Sequence, residues 1–164
     1  MEIWDAYDRE FHKIEGKTLL RGETVPEGMY HLVCEVALRH QNGDFLLMQR
    51  DPRKHRGGLW ECTAGGSALA GESPEECALR ELWEETGIRG KELSELGRTV
   101  SDEYRTIYVL YLAVAEGDRS AVTLQEGETV AFRWVKEAEL FAMETGAFAA
   151  VRTLECLRAR AEIS

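Results

Sequence analysis

The sequence predicts a single α/β or α+β domain, a mixed sheet carrying a few helices. Three observations predict it. Short β-branched and apolar runs alternate with polar, glycine-punctuated turns over residues 29–64 and again over 100–135. Between them, residues 73–86 carry both the start and the stop chemistry of a helix. The 164 residues suit one domain of the usual size, roughly 100–200 residues, which needs no disulfide or structural metal merely to fold.

Taken in order, residues 1–28 contain Gly16, Gly22, Pro26 and Gly28 and read as a turn-rich N-terminal extension packed on a domain spanning 29–164. Residues 29–39 suit a strand. Gln41-Asn42-Gly43-Asp44 supplies a turn with Asn-Gly at its centre, and residues 45–50 return as the second strand of a hairpin. Residues 51–58 are polar, basic and Gly/Pro-punctuated, hence a loop. Residues 60–64 form a short strand candidate leading into Gly65-Gly66. Ser73 can N-cap a helix with Pro74 at its first position and Glu76 closing a capping box, while Gly87 can end it in the left-handed conformation. Strands resume over 100–115, most clearly over 106–115, and again over 131–135. Residues 136–144 and 148–162 close the chain as helices, the last with Val151, Leu154 and Leu157 at helical spacing.

The charge count excludes several classes. Twenty Lys+Arg against 30 Asp+Glu leave a formal charge of −10. A polyanionic partner would be repelled at long range, so neither bulk nucleic acid nor a membrane surface is expected. No apolar run approaches the roughly 18 residues that span a bilayer, and the start Met1-Glu-Ile-Trp-Asp5 lacks signal-peptide chemistry, so the chain reads as cytoplasmic. Cys34, Cys62, Cys77 and Cys156 form no C-x-x-C pair and read as free thiols.

The acids of the helix are not scattered. At 100° per residue, with Glu81 as zero, Glu84 falls at about −60° and Glu85 at about +40°, whereas Leu79, Leu82, Trp83 and Thr86 fall between about 100° and 200°. Three carboxylates thus share one face and the apolar residues another. Like charges four apart cost a helix about 0.2–0.5 kcal/mol per pair. A bound divalent cation would reverse that penalty, and oxygen-only ligation suits Mg²⁺ or Mn²⁺ rather than zinc. Arg80, four residues before Glu84, can hold that carboxylate in one rotamer.

With Gly66 and Glu72 added, the stretch reads Gly66-x5-Glu72-x7-Arg80-Glu81-Leu82-x-Glu84-Glu85-x-Gly87-Ile88. It resembles the signature of the Nudix hydrolases at every fixed position. Gln49-Arg50, Gly58-Leu59-Trp60 and Phe132-Arg-Trp-Val135 are similar to the family's flanking elements. The resemblance implies the Nudix fold, a mixed β-sheet sandwiched between helices with a catalytic loop, helix and loop. It implies divalent-metal-dependent hydrolysis of a pyrophosphate bond in a nucleoside diphosphate-linked or related small molecule. Carried over by position, Glu84 and Glu85 become metal ligands, Glu81 a ligand or general base, Arg80 the residue orienting the carboxylates, and the carbonyl near Gly65 a further ligand. Glu72 becomes a secondary acid at the substrate. Family members often draw another carboxylate from a loop before the late Trp strand, which makes Glu126 and Glu128 candidates. Arg50, with Arg53, Lys54, His55 and Arg56 after it, can meet substrate phosphates. Tyr104 can stack a base, and so can Trp60, for which core or rim packing is the preferred reading. A homodimer is left open.

Residues 4–32 are also similar to the branch of the superfamily that contains isopentenyl diphosphate isomerase, and His31 matches one of that enzyme's metal histidines. Where the isomerase pattern places a catalytic Cys-Gly-His, this chain has Gly65-Gly66-Ser67. Both the cysteine and the second histidine are missing, so the resemblance implies a shared scaffold with hydrolase chemistry. A non-catalytic Nudix ligand sensor is a further alternative, which the intact acidic box opposes.

Overall fold

The computed structural model describes residues 1–163. In chain order its elements are β1 (Ile3–Tyr7), β2 (Lys13–Leu20), β3 (His31–His40), β4 (Phe45–Arg50), β5 (Trp60–Cys62), β6 (Ala64–Ser67), α1 (Pro74–Thr86), β7 (Lys91–Ser101), β8 (Thr106–Ala115), β9 (Thr129–Val135), α2 (Glu137–Ala142) and α3 (Arg152–Ile163). β3 pairs with β8 in parallel, from His31 opposite Thr106 to His40 opposite Ala115. Around this pair the main sheet runs β5-β4-β3-β8-β7, with β6 also on β3 and β9 also on β4.

Both faces of the sheet are covered, which is what a parallel pair requires. Because successive side chains alternate, Cys34, Val36 and Leu38 point to one face, where they join Leu46, Met48, Val109 and Tyr111 beneath Cys77, Ala78 and Leu82 of α1. Ala37, Phe45 and Leu47 face the other way onto Leu140 of α2, Phe148, and Leu154 and Leu157 of α3. Each such large apolar side chain contributes about 1.5–3 kcal/mol by leaving water.

Helix α1 has the boundaries its end residues dictate. The Ser73 hydroxyl accepts from the Glu76 N–H at 3.1 Å, the Glu76 carboxylate accepts from the Ser73 N–H at 3.1 Å, and Gly87 ends the helix at φ 72°. Its rotation differs from the expectation of an apolar face turned inward. Leu82 and Thr86 are buried, but Leu79 and Trp83 are exposed while Glu85 is buried. Arg89 covers Trp83 instead, its guanidinium 4.4 Å from the ring centroid.

Four other expectations are corrected. The first 28 residues are not mainly turns: β1 and β2 form an antiparallel hairpin with a small core of Trp4, Ala6 and Leu19. Tyr7 exchanges backbone bonds with Tyr30 at 2.9 and 2.8 Å, and Ala70 N–H donates to Ile3 C=O, so the hairpin is fastened to the loop before α1. The strand expected over 60–64 is broken at Thr63, which sits at φ 68° and separates β5, on β4, from β6, on β3. Residues 91–99 form most of an edge strand, β7, that apolar patterning does not reveal, because an edge with few buried side chains can be polar. The last helix begins at Arg152, not 148, because Phe148 and Ala149 run extended beside Trp60. All four cysteines are free. Among the described residues no helix is long and apolar enough to cross a membrane.

Candidate active site

The loop, helix and loop around α1 gather the expected residues about one guanidinium. Arg80 donates to both carboxylate oxygens of Glu72 at 2.7 and 2.9 Å, to Glu81 at 2.9 Å, to Glu84 at 3.2 Å and to the Ser67 carbonyl at 3.1 Å. Only the planar five-donor fork of arginine can serve so many acceptors at once. Burial works against ionisation of Glu72, yet its bonds from Arg80 and the Leu69 N–H hold it below the usual carboxylate range. Arg80 is correspondingly held fully charged, chiefly by Glu72.

Glu81 lies against β6 at Gly66. A Cβ on residue 66 would stand 2.3 Å from Glu81 Oε1, so only glycine leaves room for the carboxylate. Burial pushes the Glu81 carboxyl up to about 6, against the pull of Arg80. Glu85 is 6% exposed. Burial raises it well above the carboxylate range, and the charges of Glu61, Glu81 and Glu128 add to the effect, with the Gly65 N–H opposing. Glu84 remains toward solvent.

Beside this box opens a cavity of about 660 Å³, lined among others by Arg50, Arg56, Glu61, Gly65, Gly66 and Tyr104. Arg50 donates to Glu61 at 2.5 Å and to the His55 carbonyl at 3.1 Å. Tyr104 stands on the β7–β8 turn, 69% exposed. Trp60, the other candidate for base stacking, does not line the cavity; it packs against the core beneath α2 and α3, in line with the packing reading. Glu128 is ion-paired with Lys54, whereas Glu126 is exposed. His31 is stacked on Trp4, with ring centroids 4.3 Å apart.

Sequence reasoning missed the inner wall. Glu35 of β3 accepts from Arg152 at 2.9 Å and from the Thr153 hydroxyl at 2.7 Å, and burial raises its carboxyl above the usual range. Arg152 in turn lies 3.8 Å over the Tyr108 ring. An acid inside the otherwise apolar run Val33-Cys34-Glu35-Val36 is the signal that would have found it.

The donors around α1 suit a hard divalent cation. They are all oxygens, they carry more negative charge than Arg80 balances, and buried Glu85 meets no Lys, Arg or His in an ion pair among the described residues. Also among the described residues, no three His, Cys, Asp or Glu side chains stand where one ion would touch them all. Glu81 and Glu84 are turned onto Arg80, and Glu128 onto Lys54.

A sheet covered on both faces, with the acidic box at one end of a helix-flanked cleft, defines a class of protein that the comparisons name. The NUDIX domain family model matches residues 29–155. An uncharacterized Nudix hydrolase of Listeria monocytogenes is 33% identical over 147 residues, covering 88% of this chain and 86% of the relative. An isopentenyl-diphosphate Delta-isomerase of Photobacterium profundum is 34% identical over 126 residues, covering 70% and 69%. The crystal structure of DR0079 from Deinococcus radiodurans superposes with a TM-score of 0.73 at 17% identity, over 96% of this chain and 98% of that one, and so shares the fold. This chain belongs to the NUDIX family, as an enzyme of the Nudix hydrolase class.

Proposed function

We propose that the protein hydrolyses a pyrophosphate bond in a nucleoside diphosphate-linked or related small molecule, with Mg²⁺ or Mn²⁺ held at the α1 box. The observation that carries this reading is the seating of Glu81 on Gly66, a residue that belongs at once to the box and to the cavity wall. It puts a carboxylate of the acidic cluster where a ligand in the cavity can meet it. Glu84, Glu85, the carbonyl near Gly65 and, from the β9 side, Glu128 would hold the ion. Bound there, such an ion would neutralise a diphosphate and polarise its phosphoryl oxygens.

The chain's own residues supply the rest. Glu81, pushed up to about 6 by burial, is basic enough to take a proton from the attacking water near neutral pH. Arg80 fixes the rotamers of Glu81 and Glu84 through its anchor on Glu72. Arg50 and Arg56 offer cationic donors to phosphate oxygens, and Tyr104 offers a ring face at the rim. The isomerase alternative is disfavoured because Gly65-Gly66-Ser67 carries neither the thiol nor the imidazole of that pattern, and Cys62, a thiol that does line the cavity, is pushed up to about 12 by burial.

The test is a panel of diphosphate compounds, including nucleotide, sugar and isoprenoid types, incubated with Mg²⁺ and with Mn²⁺ in ¹⁸O-water. Mass spectrometry should find cleaved products with ¹⁸O on one phosphorus. Conversion of isopentenyl to dimethylallyl diphosphate without cleavage of any compound would overturn the proposal.

A further inference from the structure

Two acids near Glu85 are each held by a cation from the same short segment. Arg50, the last residue of β4, binds Glu61 of β5, and Lys54 binds Glu128, which immediately precedes β9. The backbone already holds these segments together: Asp51 N–H donates to Glu128 C=O at 2.9 Å, and Arg50 N–H donates to Leu59 C=O at 2.9 Å. The ion pairs are therefore not needed to dock the loop. They are also unlike the Arg80 cluster. Arg80 meets three carboxylates and a carbonyl, and withdrawing it would strand Glu72. Among the described residues Arg50 bonds one carboxylate and one carbonyl, and Lys54 bonds one carboxylate, so each has one close ion pair to give up. Beside both pairs stands Thr129, next to Glu128 and paired in register with Arg50, whose buried hydroxyl meets no hydrogen-bond partner among the described residues.

We infer that Arg50 and Lys54 are exchange residues, neutralising Glu61 and Glu128 in the open cavity and transferring to phosphate oxygens when those carboxylates turn to a divalent cation. This inference rests on the metal-dependent reading above. Its physical logic is charge balance. A diphosphate arriving with a divalent cation brings both an anion for the freed side chains and a cation for the freed carboxylates, so neither member of a pair is left buried and uncompensated. Either ligand alone meets a competitor already in place. Arg50 and Lys54 are thus positioning and specificity residues, coupling the two binding events, with Glu61 and Glu128 as their counterparts.

The experiment separates this role from a structural one by the sign of two effects. Calorimetric titration of Mn²⁺ alone should show tighter binding to Arg50→Ala than to the parent, by about fivefold, the size of a partly exposed ion pair. Glu61→Gln should weaken Mn²⁺ binding, and in the Arg50→Ala/Glu61→Gln double variant the tightening should vanish. Arg53→Ala removes a charge from the same loop, but one paired with Asp51 and 74% exposed, and should shift Mn²⁺ affinity less than twofold. Methylenediphosphonate titrated into the Mn²⁺-saturated protein should bind Arg50→Ala about tenfold more weakly. Weakening of both ligands, or an unshifted Mn²⁺ affinity in Arg50→Ala, would overturn the exchange while leaving the hydrolase reading intact. Absence of Mn²⁺ binding to the parent would overturn the metal-dependent reading itself. Should Arg50→Ala fail to fold, Lys54→Ala with Glu128→Gln provides the same cycle on the second pair and decides the question.

Discussion

Gly66 and Glu81 share one volume: the carboxylate of Glu81 occupies the space where any other residue at position 66 would carry its Cβ. Gly66 lies in β6 without a positive φ, so the requirement for glycine there is spatial, not conformational. Gly66→Ala is expected to keep the fold and displace Glu81. Turnover should fall about 100-fold, the usual cost of misplacing a reacting group by an ångström. Steady-state assay beside thermal unfolding checks it; parental turnover in a folded Gly66→Ala protein would show that the seat is not used.

Arg80 acts by anchoring. Arg80→Lys keeps the charge but loses the fork, so it cannot hold Glu72, the Ser67 carbonyl, Glu81 and Glu84 together. Both Arg80→Lys and Arg80→Ala should lose at least tenfold in kcat. Arg80→Ala should also destabilise by about 1–3 kcal/mol, less than for a fully buried pair because Arg80 is partly exposed. Urea denaturation and kinetics on the two variants measure each effect separately.

Glu85 places function against stability. Its folded-state carboxyl is raised by burial, so the stability it contributes is complete below the unfolded value of about 4.3 and is lost as pH rises through the folded value. Glu85→Gln removes that loss and can still accept from the Gly65 N–H. In chelator at pH 8 the variant should melt above the parent, with the gap closing toward pH 4, while its activity with Mg²⁺ falls about 100-fold or more. A variant less stable than the parent at pH 8 would mean that the Glu85 charge is already compensated within the protein.

How much of this was legible in the sequence depends on whether the cause was local. The α1 boundaries were readable because Ser73, Pro74, Glu76 and Gly87 act within one turn of where they stand. The spacing of Glu81, Glu84 and Glu85 was readable for the same reason. Which way that face turns was not, since burial of Glu85 beside Glu61 and exposure of Trp83 depend on strands far off in the chain. Glu35 and Arg152 meet across 117 positions. The N-terminal hairpin was missed because its core of Trp4, Ala6 and Leu19 is too small to impose a long apolar run.

The hairpin's tie to the domain should show itself at low pH. Asp102, in the β7–β8 turn, accepts from Arg9 at 2.9 and 3.1 Å and from the Tyr30 hydroxyl at 2.6 Å, and these bonds hold its carboxyl down at about 2. A depressed carboxyl contributes stability above its unfolded value, about 3.9, and loses it as pH falls toward 2. Asp102→Asn should therefore melt slightly below the parent from pH 5 upward, and the difference should close between pH 4 and 2. The site is exposed, so salt should shrink the gap. A gap that persists unchanged at pH 2 would assign the tie to packing.

Thr63 bears the junction of the sheet. Its hydroxyl accepts from the Leu38 N–H and donates to the Leu46 C=O, both at 2.8 Å, so one side chain stands in for the ladder where β3 and β4 part. The residue is fully buried, and water cannot replace it. Thr63→Val keeps the shape and the branching at Cβ, and so the same backbone strain at φ 68°, but leaves both backbone groups without a partner. That should cost about 1–3 kcal/mol. Thr63→Ser retains the hydroxyl and gives up one methyl, with a smaller loss of about 1 kcal/mol. Chemical denaturation of the two variants orders the effects. If Val proves the milder substitution, apolar packing and not the paired hydroxyl holds the junction.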